Sequence, residues 1–158
     1  MSATRPRSAS GYDLVPLSGR ERERLAARLS PQQRHVLLAH GTEAPFCGNL
    51  LDNHRSGRYA CALCGLPLFS SADKFDSGTG WPSFSRPVDP GHLNALRDVS
   101  HGMVRIEIRC ARCDGHLGHV FPDGPAPTFE RYCLNSEALE FFDEGIEPPQ
   151  HAADGEVP

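Results

Sequence analysis

Long apolar runs are missing from this chain of 158 residues. Nothing in it approaches the roughly 18 consecutive apolar residues of a membrane-spanning helix, so no membrane partner is expected. Positive charge is also short. Sixteen Lys and Arg stand against 20 Asp and Glu, a net charge of −4. Nucleic-acid binders ordinarily present a basic face, and none is expected here. Arg5 and Arg7 near the start are not followed by the apolar stretch of a secretory signal. The setting expected is cytoplasmic and reducing, where cysteines serve as metal ligands or reactive thiols rather than as disulfides. There is one Trp.

Turn formers, by contrast, are plentiful. Gly (15) and Pro (14) are high while hydrophobic content is 39%, which predicts many short elements and a β-rich fold with long loops. The length suits a single domain. Residues 1–17 read as a flexible lead-in, docking through Tyr12, Leu14 and Val15. Residues 18–143 form the domain, with helices over 19–40 and a β core over 57–136. Residues 144–158 read as a disordered tail. Ser18 with Glu21 fits a capping box. Ser30-Pro31-Gln32-Gln33 repeats the signal with Pro at the first helical position, and Gly41 supplies a stop. His35 and His40 are read as surface or packing residues of the second helix, and His54 and His92 as surface residues. Val104, Ile106 and Ile108 alternate with Arg105, Glu107 and Arg109, the pattern of a half-buried strand. Residues 128–135 read as another strand, and 136–142 as a closing turn or helix.

Two stretches organise the rest: Cys61-Ala62-Leu63-Cys64 and Cys110-Ala111-Arg112-Cys113. Each is a knuckle that points two sulfurs the same way. Together they predict a closed, structural, tetrahedral zinc site, although iron suits the same four thiolates. The stretch between them is longer than the roughly 15–20 residues of a compact double knuckle. The metal is therefore expected to pin two distant hairpins rather than fold one small ribbon.

Two cysteines remain, Cys47 and Cys133. On a strand, Arg131, Cys133 and Asn135 share one face. A cation and an amide beside the sulfur favour a lowered thiol pKa, yet a buried inert cysteine fits the local sequence equally well. His116 and His119 suit acid–base work. Three residues apart on a regular strand they face opposite ways, unless a bulge at Gly118 turns both inward.

These motifs in this order, with Lys74-Phe-Asp-Ser-Gly-Thr-Gly-Trp-Pro-Ser-Phe84, Gly115-His-Leu-Gly-His-Val-Phe121 and Arg131-Tyr-Cys-Leu-Asn-Ser136, resemble the B class of peptide-methionine sulfoxide reductases over roughly Tyr12 to Phe142. The resemblance implies two small antiparallel sheets in a sandwich or partial barrel, short N-terminal helices, and a structural Zn2+ remote from the active site. It implies reduction of the R epimer of methionine sulfoxide in proteins. It makes Cys133 the nucleophile, His119 and His116 the acid–base residues, Asn135 their polar neighbour, and Arg131 a support for the thiolate. Trp81 would hold the substrate methyl, with Phe84 or Phe121 beside it. Many members carry a resolving cysteine between the two glycines at 78 and 80, where this chain has Thr79. Cys47 resembles the alternative position. It would resolve a Cys133 sulfenic acid to a disulfide that thioredoxin reduces. A monomer is the default expectation. A non-catalytic zinc-clamped binding module of related fold would need the four ligands, but not Cys133, His116, His119, Asn135 and Trp81 together.

Overall fold

In the computed structural model, residues 8–146 are described. The first part of the expected lead-in (1–7) and most of the expected tail (147–158) lie outside the described residues. Two short helices come first. α1 (Gly19–Ala26) begins where the Ser18 side chain accepts from the Glu21 N–H. α2 (Pro31–Ala39) carries the full reciprocal capping box of Ser30 and Gln33, with Pro31 in its first turn. Its end differs from expectation. His40, not Gly41, takes the left-handed conformation (φ 57°), and the Gly41 N–H closes back on the His35 carbonyl at 2.9 Å. The turn thereby aims the His40 ring across the fold.

The strands follow as β1 (Gly57–Cys61), β2 (Pro67–Ser70), β3 (Lys74–Phe75), β4 (Ser83–Phe84), β5 (Leu93–Asp98), β6 (Arg105–Cys110), β7 (His116–Phe121), β8 (Arg131–Leu134) and β9 (Leu139–Asp143). They make a three-stranded sheet, β2-β1-β9, and a six-stranded sheet, β3-β4-β8-β7-β6-β5, with antiparallel pairing in both. The mainly β fold with two antiparallel sheets and short N-terminal helices is the one expected. The closing segment is not the turn or helix expected throughout. After one 3-10 turn (Ser136–Ala138), β9 pairs along the whole of β1 and completes the small sheet.

Aromatic rings join the two sheets. Phe84 of the large sheet stacks on Phe69 (centroids 4.6 Å) and meets Tyr59 edge-on (5.0 Å), both from the small sheet. Leu63, Leu66, Leu68, Leu117 and Leu134 complete a core that is shut off from solvent. The N-terminal stretch from Ser8 is docked rather than loose. Tyr12 packs edge-on against His92, and the buried Arg112 reaches Asp13 and the Val15 carbonyl. His92 is correspondingly not a surface residue. It is fully buried, held by Ser8 Oγ at 2.8 Å and by the Pro67 carbonyl.

β6 departs from the simple half-buried pattern. Ile108 is buried, but Ile106 and Val104 are 38% and 68% exposed, while Glu107 on the opposite face is only 7% exposed. The apolar face of the β5–β6 hairpin is open to solvent at Ile106 and Val104. The polar face lines a cleft instead.

Candidate active site and metal centre

The two knuckles meet. Cys61 Sγ lies 3.5 Å from Cys113 Sγ, and Cys64 Sγ 3.5 Å from Cys110 Sγ. All four sulfurs lie within 4.8 Å of one another and are buried. The two turns are built alike. The Gly65 N–H returns to the Cys61 carbonyl and the Asp114 N–H to the Cys110 carbonyl, with both residues at positive φ. Sulfurs bound to one Zn2+ at about 2.3 Å would sit ~3.8 Å apart. The spacing and the soft donor set therefore fit a closed four-thiolate metal site. Hydrogen bonding to its cysteine neighbours, with burial behind it, pushes the Cys113 thiol well up. Four sulfurs cannot all ionise in this enclosure without a cation among them.

Cys133 lies on β8 of the six-stranded sheet, in the middle of a paired row. It stands opposite Ser83 of β4 on one side and His119 of β7 on the other, and His119 stands opposite Glu107 of β6. Directly paired side chains in adjacent strands share a face of the sheet. His116 joins the same face through a bulge. Ile108 pairs with Gly118 and Arg109 with His116, which leaves Leu117 as the extra residue. The His116 and His119 rings come to 5.5 Å, nearly edge to face. Gly118 is indispensable to this geometry, because a Cβ there would lie 2.0 Å from the Cys133 carbonyl oxygen.

A small cavity of about 100 Å³ opens over Cys133, walled by Trp81, Phe121, His119 and Asn135, with Thr42 and Arg105 at its edge. The loop before β1 closes it. Glu43 donates its N–H to Asn135 Oδ1 (3.0 Å), its carbonyl accepts from Trp81 Nε1 (3.0 Å), and Phe46 N–H donates to the Gly80 carbonyl (2.7 Å). Cys47, exposed, sits on this loop and lines an adjoining groove of about 420 Å³ with Val36, Glu43 and Glu137. Asn135 also donates through Nδ2 to the Leu117 carbonyl, which ties the loop to the bulge.

Each histidine leans on a carboxylate. Glu107 Oε2 accepts from His116 Nδ1 at 2.6 Å and from His40 Nδ1 at 3.0 Å, while Arg109 pairs with Oε1. Asp98 Oδ2 accepts from His119 Nε2 at 2.8 Å. Burial would push Glu107 up, but hydrogen bonds from Arg109, His116 and His40 bring it down to about 2. Hydrogen bonds from Ser100 and His119 hold Asp98 well below the usual carboxylate range. Burial pushes His116 down despite Glu107, so the ring is neutral at neutral pH. Cys133 runs against expectation. Burial pushes its thiol up, and the opposing charge of Arg131 and the hydrogen bond from Thr79 only moderate this.

A family model described as "SelR domain" matches residues 29–143. The peptide methionine sulfoxide reductase MsrB of Caulobacter vibrioides (strain NA1000 / CB15N) is 58% identical over 149 residues, 93% of this chain and 94% of that protein. That of Xylella fastidiosa (strain M23) is 57% identical over 145 residues, 92% and 94% of the two chains. That of Escherichia coli (strain K12 / DH10B) is 58% identical over 121 residues, 77% and 88%. The chain belongs to the SelR family. Within this SelR domain the structure gathers Cys133, His119, Trp81, Asn135 and Phe121 around one cavity, with His116 just behind it.

Phe84 is not among them. It is fully buried between the sheets, because its β4 position turns it toward Phe69 and Tyr59. The thiolate support expected of Arg131 is only partial. Its guanidinium is held by Asp123 at 2.9 and 3.1 Å and lies 4.5 Å over the Phe121 ring, so much of its charge is already answered. Four residues were missed in the sequence: Glu107, Asp98, Glu43 and Thr79. Glu107 carried a signal, as an acidic residue on the strand running into a knuckle, but strand alternation assigns it to solvent. His40 is likewise more than helix surface, since it reaches Glu107. Among the described residues no helix is long and apolar enough to cross a membrane.

Proposed function

We propose that this chain reduces the R epimer of methionine sulfoxide in proteins to methionine, with Cys133 as nucleophile. The observation that carries the reading is the row Ser83–Cys133–His119–Glu107 across three strand pairs, placed under Trp81. A sulfoxide oxygen leaves only when protonated, and a thiol attacks only as thiolate. Because burial keeps Cys133 protonated, its own proton can serve both needs. It moves through the histidine pair to the sulfoxide oxygen, with His119 as the donor to oxygen. Cys133 sulfur bonds to the sulfoxide sulfur, the protonated oxygen passes from that sulfur to Cys133 as the sulfur–sulfur bond breaks, methionine departs, and Cys133 is left as the sulfenic acid. An amide has two N–H donors, of which Asn135 commits one to Leu117. We assign the other to the sulfoxide oxygen. Trp81 and Phe121 hold the S-methyl and set the epimer.

Cys47 then condenses with the sulfenic acid, releasing water and forming a disulfide. Thioredoxin reduces it by thiol exchange. The support for Cys47 is its exposure and its place on the loop that closes the cavity. The four-cysteine site holds Zn2+, which clamps the two hairpins and takes no part in the reaction. We place the protein in a reducing, cytoplasmic setting and as a monomer. No observation favours a non-catalytic binding module.

The test is turnover with peptides carrying pure R- or S-sulfoxide. Methionine should form from the R peptide alone and should be lost in Cys133→Ser. Equal product from both epimers would contradict the epimer assignment. Product from Cys133→Ser would contradict the nucleophile.

A further inference from the structure

We propose that Glu107 is a positioning residue for the reduction: anchored by His40 and Arg109, it fixes His116 with a hydrogen on Nδ1 and leaves its buried Nε2 free to accept a proton. The inference rests on the reductase reading above. It assigns work to a carboxylate that touches neither substrate nor sulfur.

The geometry is a single oxygen with two imidazoles on it. Glu107 Oε2 lies 2.6 Å from His116 Nδ1 and 3.0 Å from His40 Nδ1. An ionised carboxylate only accepts, so both Nδ1 atoms must carry hydrogen. The second nitrogen of His116 is then an acceptor. That Nε2 is buried and has no hydrogen-bond partner among the described residues. A buried acceptor without a partner is costly. His116 lines a cavity of about 530 Å³ that shares Thr42, Arg105 and His119 with the catalytic pocket. Its neighbour His119 is held through the opposite nitrogen, Nε2, by Asp98. The two rings are thereby held through opposite nitrogens, His116 by Nδ1 and His119 by Nε2.

This gives the Cys133 proton a place to go. It passes through solvent in the two joined cavities to His116 Nε2, which no group among the described residues occupies, leaving thiolate. The imidazolium so formed has its Nδ1–H on the Glu107 carboxylate, which stabilises it as an orienting carboxylate does behind a catalytic histidine. The proton then moves by way of His119 to the sulfoxide oxygen, and departs as the hydrogen of the sulfenic acid. No proton is gained or lost overall. The charged groups facing His116 come from four elements. The end of α2 supplies His40, β5 supplies Arg97 and Asp98, β6 supplies Arg105, Glu107 and Arg109, and β7 supplies His119. Asp98 pairs with Arg105 and Asp114 with Arg109, so Glu107 is the carboxylate directly on His116.

Nitrogen-15 NMR of the reduced, metal-loaded protein reads the tautomer without any variant. His116 should show protonated Nδ1 and bare Nε2, and the Nε2–H form would overturn the proposal. Single-turnover reduction of an R-sulfoxide peptide by the unaltered protein tests the reductase reading separately. In Glu107→Gln the single-turnover rate should fall about 10- to 100-fold with substrate affinity unchanged. Its acid limb should move to lower pH, because His116 loses the carboxylate that raises its basicity. Glu107→Asp should recover part of the rate. A rate loss with an unmoved pH profile, or no loss at all, would contradict the assignment.

Discussion

Cys133 sits where burial works against its reactivity, and the neighbouring residues only partly compensate. Arg131 lowers the thiol pKa but is shared with Asp123 and Phe121. In Arg131→Ala the pH profile of Cys133 alkylation should shift to higher pH, with the rate at neutral pH down roughly 3- to 10-fold, since each pKa unit is tenfold in thiolate. Mass spectrometry of the alkylated peptide checks this, and an unmoved profile would leave Arg131 with a purely structural role. Trp81 is held by a single hydrogen bond from its indole to Glu43. In Trp81→Ala the KM for sulfoxide peptide should rise about tenfold or more, the worth of an aromatic contact on a small apolar group. Cys133, the histidines and the Trp were singled out in the sequence by residue type and by the family resemblance, although local spacing alone left the roles of Cys133 and the histidines open. Glu107 and Asp98 were not, because a carboxylate on an alternating strand looks the same whether it faces water or a buried imidazole. The lowered thiol pKa expected from Arg131 failed for a related reason. Charge is visible in a sequence, while burial depends on what folds over it.

At the scale of elements, the bulge in β7 decides the site. Regular alternation would send His116 and His119 to opposite faces, and one extra residue at Leu117 brings them together. The need for such a bulge could be read from the spacing, but which residue it displaces could not. Gly118 allows β8 to approach so closely that an added Cβ would meet the Cys133 carbonyl at 2.0 Å. Gly118→Ala should therefore cost about 1–3 kcal/mol, as overpacking does. A urea titration should show the midpoint falling with the slope unchanged, and the reduction rate should fall with it as Cys133 shifts from His119. An alanine there with unaltered stability would mean that the strands can part without consequence. The helices were legible because capping is local. β9 was not, because nothing in its own residues says that β1 lacks a partner on that side.

The molecule as a whole is two antiparallel sheets joined by a buried four-cysteine cluster, with Cys133 of the larger sheet beneath a cavity. The two cysteine knuckles were the clearest signal in the chain, because their chemistry depends on spacing alone. Removing the metal with a strong chelator, or changing Cys110 to Ser, should lower the melting temperature sharply, since binding energy at a structural site is folding energy. Retained melting after verified metal loss would sink the clamp. Acid should also unfold the protein in a defined window. Glu107 and Asp89 both have folded values of about 2, below their ordinary 4.5 and 3.8. For Asp89, hydrogen bonds from Ser10 and Gly91 outweigh burial. Depressed carboxylates add stability that is fully present above their unfolded values and is lost as pH falls through the folded ones. Stability should therefore hold above about pH 5 and decline between about 4.5 and 2, as a pH series of thermal melts would show. The most direct experiment joins the site to its chemistry. Pre-reduced protein is given one equivalent of R-sulfoxide peptide without reductant, and its disulfides are mapped by mass spectrometry. One equivalent of methionine peptide with a Cys47–Cys133 bridge is the expected result. Methionine peptide with Cys133 left as sulfenic acid would remove Cys47 from the reaction, and no methionine peptide at all would contradict the reductase assignment itself.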